Sequence, residues 1–87
     1  MATGNPTYDP VALRLGYRTE VGLLWLDRDN VGVEKTLPQA IARFKAKFGR
    51  SPVVIYLSER TIAQEYAIGK LKVMPVKHCP PRHAMLF

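Results

Sequence analysis

His78, Cys79 and His83 place three side chains able to hold zinc within one short stretch of this sequence. A structural zinc site needs four ligands, and a catalytic one needs three ligands plus an open position backed by oriented partners. A single cysteine supplies no CxxC pair, and Pro80-Pro81 keeps the two histidines off a common helix face. The stretch is read as a proline-stiffened tail and no metal is assigned to it. Basic neighbours would give the Cys79 thiol some thiolate character, yet no catalytic framework accompanies it.

Asp27, Asp29 and Glu34 form a second group. Asp27-Arg28-Asp29-Asn30-Val31-Gly32 opens like a calcium loop, with acids at positions one and three and glycine at six. It then fails, because Val31 and Pro38 stand at positions five and twelve, where the EF-hand needs an oxygen donor and a bidentate glutamate. A loose Mg²⁺ site on the three carboxylates competes with a plain polar turn, and the turn is preferred. The sequence also contains no P-loop, no GxGxxG and no nucleophile elbow. No catalytic residue and no cofactor is assigned, and the chain is expected not to be an enzyme.

The third group is cationic. Up to Glu34 there are three bases (Arg14, Arg18, Arg28) and five acids (Asp9, Glu20, Asp27, Asp29, Glu34), whereas ten bases and two acids (Glu59, Glu65) follow. Arg43, Lys45, Lys47 and Arg50 fall in a stretch without an acid, and beyond Glu65 no acid accompanies Lys70, Lys72, Lys77 or Arg82. Cations without local partners either keep a small protein solvated or neutralise phosphates and acidic surfaces. Trp25, Tyr17, Tyr56 and Tyr66 could stack bases on an open sheet face, although most sit in apolar strand patterns and are expected in the core. Thr61 to Gly69 resembles the first helix and turn of the helix-turn-helix family over nine residues. That family requires a second helix to enter the major groove, and here the next stretch alternates like a strand and contains Pro75, so the resemblance is set aside.

These side chains have to be positioned by regular elements. Apolar residues at odd positions from Val11 to Trp25, broken by the polar Tyr17-Arg18-Thr19-Glu20, predict a hairpin of about 11 to 16 and 20 to 26. Leu23-Leu24-Trp25-Leu26 is apolar on both faces, as in a central strand. Thr36-Leu37-Pro38-Gln39 has the form of a capping box, followed by a stripe of Leu37, Ala40, Ile41, Phe44 and Phe48 and closed by Gly49. A helix over about 37–48 follows, with Arg43, Lys47 and Arg50 along its outer face and Lys45 beside them. Val53 to Leu57 predicts a buried strand, parallel to 20–26 if the two are neighbours. Ser58 would cap a short helix over about 59–66, and Lys70 to Val76 alternates as a final strand placed at the sheet edge by Pro75.

The expected architecture is therefore α/β (α+β): a small single-layer mixed sheet of about four strands in the order β-β-α-β-α-β, with a flexible N-terminus over 1–10 and a tail over 77–87. The 87 residues make one domain, and a domain this small is marginal enough that a partner or self-association is worth expecting. Ala84-Met85-Leu86-Phe87 would either fold back as another strand or dock on another subunit. One cysteine and the absence of an apolar run of roughly 20 residues point to a soluble, cytoplasmic protein without a membrane segment. The favoured reading is a non-enzymatic binding module that contacts nucleic acid or another polyanion through Arg43, Lys45, Lys47, Arg50, Lys70, Lys72 and Lys77. The alternatives are an acidic protein partner or an assembly subunit that uses strand 70–76 together with Met85, Leu86 and Phe87.

Overall fold

The computed structural model of the chain describes residues 4–9 and 21–87. Strands β1 (Gly4–Tyr8), β2 (Val21–Leu26), β3 (Val54–Ser58), β4 (Tyr66–Ile68), β5 (Leu71–Val76) and β6 (His83–Leu86) form one mixed sheet, and the described residues contain one helix, α1 (Val33–Phe48). The strand order is β1-β2-β6-β3-β5-β4, with β3 and β5 parallel and every other pair antiparallel. The α+β class is as expected, with six strands where about four were predicted.

The apolar tail supplies one of the three strands that were not predicted, the others being β1 and β4. Ala84, Met85, Leu86 and Phe87 are apolar on both faces because β6 is the inserted middle strand, flanked by β2 and β3. Strands 20–26 and 53–57 thus run in the same direction but are not neighbours. Leu86 and Ala84 join Leu23, Trp25, Ile55, Leu57 and Val73 beneath α1, while Met85 and Phe87 lie on the far face with Tyr56 and Cys79. Phe87 also closes the ladder through its backbone, accepting from Val53 N–H and Val54 N–H and donating to the Val54 carbonyl.

α1 begins one turn before the predicted start. Asp27, almost wholly buried, accepts the Val31 N–H on Oδ1 (3.2 Å) and the Gly32 N–H on Oδ2 (2.8 Å), which shapes the approach to the helix. Thr36 is not the N-cap: its hydroxyl donates to the Val33 carbonyl at 2.8 Å and accepts from the Trp25 indole at 3.0 Å. Burial of Val33 and Thr36 against Trp25 decides the matter over the local capping signal, and Pro38 is consequently inside the helix. The far end is as read, with Gly49 at φ 69° and its N–H on the Lys45 carbonyl.

Three further expectations are corrected. Gly4–Tyr8 is a strand paired with β2 across Tyr8↔Val21 to Gly4↔Trp25, where a flexible terminus was expected; the predicted partner strand at 11–16 lies outside the described residues. The helix over 59–66 is replaced by a turn in which Thr61 and Ile62 N–H both reach the Ser58 carbonyl. Ile62 is drawn into the core under α1 and Tyr66 pairs with β5, so the segment cannot close a second helical turn. Gly69, at φ 61°, makes the hairpin turn between β4 and β5.

Strand β5 is not an edge strand, since β3 and β4 flank it. Pro75 is tolerated because β4 extends only as far as Val73. Lys72 N–H donates toward β3, so by alternation the nitrogens of Val73 and Pro75 face the β4 side, and at Pro75 that side is open.

Parallel β3 and β5 end at the same pole, where the helix starts. The chain leaving β3 must pass β5 to reach β4, and the chain leaving β5 must pass β3 to reach β6, so the two loops cross. They do so on opposite faces: Ile62 packs on the helix side, and Cys79 packs on the far side. Connections at one end of a sheet seldom cross. Here Arg82, at φ 66°, secures the crossing by donating to the Asp27 and Arg28 carbonyls while its own carbonyl accepts the Asp27 N–H.

Candidate functional site

Helix geometry separates the cations that the sequence grouped together. With Phe44 fully buried and pointing at the sheet, a rotation of about 100° per residue puts Lys45 on one flank of α1 and Arg43 on the other, with Lys47 on the Arg43 side. Lys47 lies 5.9 Å from the centre of the Phe48 ring, and Arg50 packs over Phe44 at 5.0 Å while donating to the Ser51 carbonyl. Lys72 alternates with Leu71 and Val73, which face α1, and so projects from the opposite face of the sheet. Lys77 stands at the other pole, beyond the end of β5. All seven are at the surface, but they do not share one surface.

Two of them do converge. Lys45, from the last turns of α1, and Lys70, from the β4–β5 turn, line an open groove of about 480 Å³ with Ile41, Val53, Ile68 and Leu71. The groove is mostly apolar, and Val53 and Ile68 are among the most exposed large hydrophobic residues, at 64% and 47%. An exposed apolar patch rimmed by charge marks a binding surface more strongly than either feature alone. Sequence reading found the lysines and assigned Val53 to a buried strand. The floor was out of its reach because it forms only when the β4–β5 turn is brought against the C-terminal half of α1.

The remaining candidates are engaged elsewhere. Met85, Leu86 and Phe87 are buried in the sheet and its far-face cluster, which removes them as a docking tail. Trp25 and Tyr56 are core residues; the Tyr56 hydroxyl donates to Asp9 at 3.3 Å, and burial, reinforced by the Asp9 carboxylate, pushes its pKa up to about 12. Tyr66 donates to Glu34 at 2.7 Å and is likewise raised to about 12, by partial burial first and then by Glu34. Tyr17 lies outside the described residues. Asp27 is occupied by backbone N–H groups and Glu34 by Tyr66, and no three His, Cys, Asp or Glu side chains among the described residues come together as a metal cluster.

Cys79 corrects the expectation of thiolate character. Its sulfur is buried and surrounded by the carbonyls of His83 at 3.3 Å and of Tyr56 and Pro80 at 3.6 Å. Burial pushes the thiol up to about 11, away from reactivity. His83 Nδ1 lies 2.9 Å from the Pro81 carbonyl, so it serves the turn that carries it.

No helix among the described residues is long and apolar enough to cross a membrane. Comparison with protein-family models, with curated proteins and with solved structures finds no match for the chain.

Proposed function

We propose that this protein is a non-enzymatic binding module that takes an acidic segment of a partner protein in the groove between α1 and the β4–β5 turn. The observation that carries this reading is the convergence of Lys45 and Lys70 over the aliphatic floor of Ile41, Val53, Ile68 and Leu71. Single-stranded nucleic acids are held by basic grooves that also present aromatic platforms for base stacking, whereas Trp25 and Tyr56 lie in the core and Tyr66 is bonded to Glu34. An aliphatic floor beneath two ammonium groups suits instead a peptide carrying apolar anchors among carboxylates. Strand addition beside the groove contributes little, because the sheet edge there, at β4, is only three residues long and Pro75 blunts its continuation.

The test is fluorescence anisotropy with a labelled peptide of alternating Glu and Leu and, in parallel, a labelled single-stranded RNA of similar net charge. Lys45→Glu/Lys70→Glu should weaken peptide binding by tenfold or more, since each lost charge contact contributes on the order of 1 kcal/mol. Arg43→Glu/Lys47→Glu, on the opposite flank, should change it less than about twofold on the same scale. Equal losses in both double variants, or RNA binding that outlasts Lys45→Glu/Lys70→Glu and exceeds peptide binding, would overturn the reading.

A further inference from the structure

The crossing of the two loops creates a second, separate feature. β3 and β5 end side by side at Ser58 and Val76, and a crevice of about 390 Å³ opens where the chain segments leaving them diverge. In open sheets with parallel strands, ligands are received outside the carboxyl ends of those strands, at the point where successive connections depart in opposite directions. The crevice is predominantly polar, and Ser58, Glu59, Arg60, Lys77 and His78 contribute to its lining.

Both walls are held by the backbone. On one side, Ser58 Oγ accepts the Arg60 N–H at 3.1 Å, the Ser58 carbonyl accepts from Thr61 and Ile62, and Glu59 N–H is tied to the Val76 carbonyl. On the other, Cys79 is anchored in the far-face cluster, Pro80 and Pro81 stiffen the loop, and His83 N–H returns to the Pro80 carbonyl. Arg60 and Lys77 bring two permanent positive charges from two different loops, His78 adds an imidazole, and Glu59 is the one carboxylate among the described residues of the lining. A guanidinium fork and an ammonium on opposite walls of a fixed polar crevice match a tetrahedral oxyanion: the fork donates two parallel N–H bonds and the ammonium supplies a point charge.

We infer that this crevice binds a phosphate group, as the free anion or as a phosphomonoester, through Arg60 and Lys77 with His78 as a further donor. The inference is independent of the peptide groove, which lies at the opposite pole of α1. In the sequence Arg60 is only one of the ten bases that follow Glu34, within the helix expected over 59–66, and His78 stands out only as a possible zinc ligand.

The experiment is a ¹H–¹⁵N NMR titration of the full chain with inorganic phosphate at constant ionic strength held by chloride. Saturable shifts confined to amides of residues 58–60 and 77–79 are expected. Arg60→Gln/Lys77→Gln, at exposed positions, should weaken the response by tenfold or more, Glu59→Gln should strengthen it, and Lys45→Glu/Lys70→Glu should leave it unchanged. Phenyl phosphate, run alongside, separates the two sources: tighter binding than phosphate assigns an organic monoester, and weaker binding assigns the free anion. The inference is overturned if shifts spread equally to Lys45, Lys70 and Arg43, or if Arg60→Gln/Lys77→Gln titrates like the parent chain.

Discussion

The Trp25 indole N–H and the Thr36 hydroxyl meet at 3.0 Å in the interior, and that hydroxyl passes its own hydrogen on to the Val33 carbonyl at 2.8 Å. One side chain thus satisfies the buried donor of the central sheet and fixes where the first turn of α1 sits on it. Thr36→Val keeps the shape but leaves the indole unpaired, so it should cost roughly 1 to 3 kcal/mol, read from urea unfolding followed by Trp25 fluorescence. Thr36→Ser should recover most of that loss. A Thr36→Val protein as stable as the parent would show that the bond carries no weight.

Gly22 is required by close approach. A Cβ there would come within 2.3 Å of the Leu86 carbonyl and about 2.5 Å of the Phe87 ring. Gly22→Ala must therefore displace the β2–β6 ladder, with an expected loss on the order of 2 to 3 kcal/mol by overpacking. Gly49 is the contrast: nothing lies within 4 Å, and only its φ of 69° resists a side chain, so Gly49→Ala should cost about 1 kcal/mol. Thermal unfolding of the two variants should rank them in that order.

Truncation after Arg82 should unfold the domain and not simply release a partner. Met85, Leu86 and Phe87 are each at least 95% buried in or beside the middle strand. Their burial contributes roughly 5 to 9 kcal/mol at about 1.5 to 3 each, which is comparable to the whole stability of a small domain. Circular dichroism of the truncated chain would show loss of the cooperative transition. A cooperatively folded product with an unchanged midpoint would contradict the placement of β6.

Alkaline conditions should destabilise the fold. Cys79 is raised from 9.0 to about 11 and Tyr56 from 10.0 to about 12, both chiefly by burial. A folded-state pKa above the unfolded one means that the native form holds the proton more tightly, so the contribution is complete below the unfolded value and is lost as pH rises through the folded one. The urea midpoint should hold steady up to about pH 9 and then fall, with a smaller fall between pH 9 and 11 in Cys79→Ala. Alkylation of native Cys79 by iodoacetamide at pH 8 should be far slower than in the unfolded chain. A midpoint flat through pH 11, or equal alkylation rates, would contradict the buried, protonated thiol.

Local pattern carried a definite part of the molecule. The Leu37-Ala40-Ile41-Phe44-Phe48 stripe, the Gly49 terminator, the continuous apolar runs at 23–26 and 53–57, and the alternation of Lys70 to Val76 are periodicities within single segments, and each became the element it described. What one segment cannot reveal is its neighbour. The tail looked equally suited to a partner and to the sheet, because apolar side chains on both faces state that a strand is covered but not by what. Pro75 points to an edge strand, yet β5 lies between β3 and β4, and it is the short reach of β4 that leaves the side of Pro75 open. Thr36 lost its capping role to Trp25, and Ile62 lost its helix to the core, because burial outweighs a local hydrogen-bond preference. The cations show the limit most clearly. Their number and the scarcity of nearby acids are sequence properties, but a side chain's direction depends on which face of a helix or strand is buried. The tertiary structure therefore sends Lys45 and Lys70 into one groove, Lys77 with Arg60 into another, and Arg43 and Lys72 to surfaces of their own.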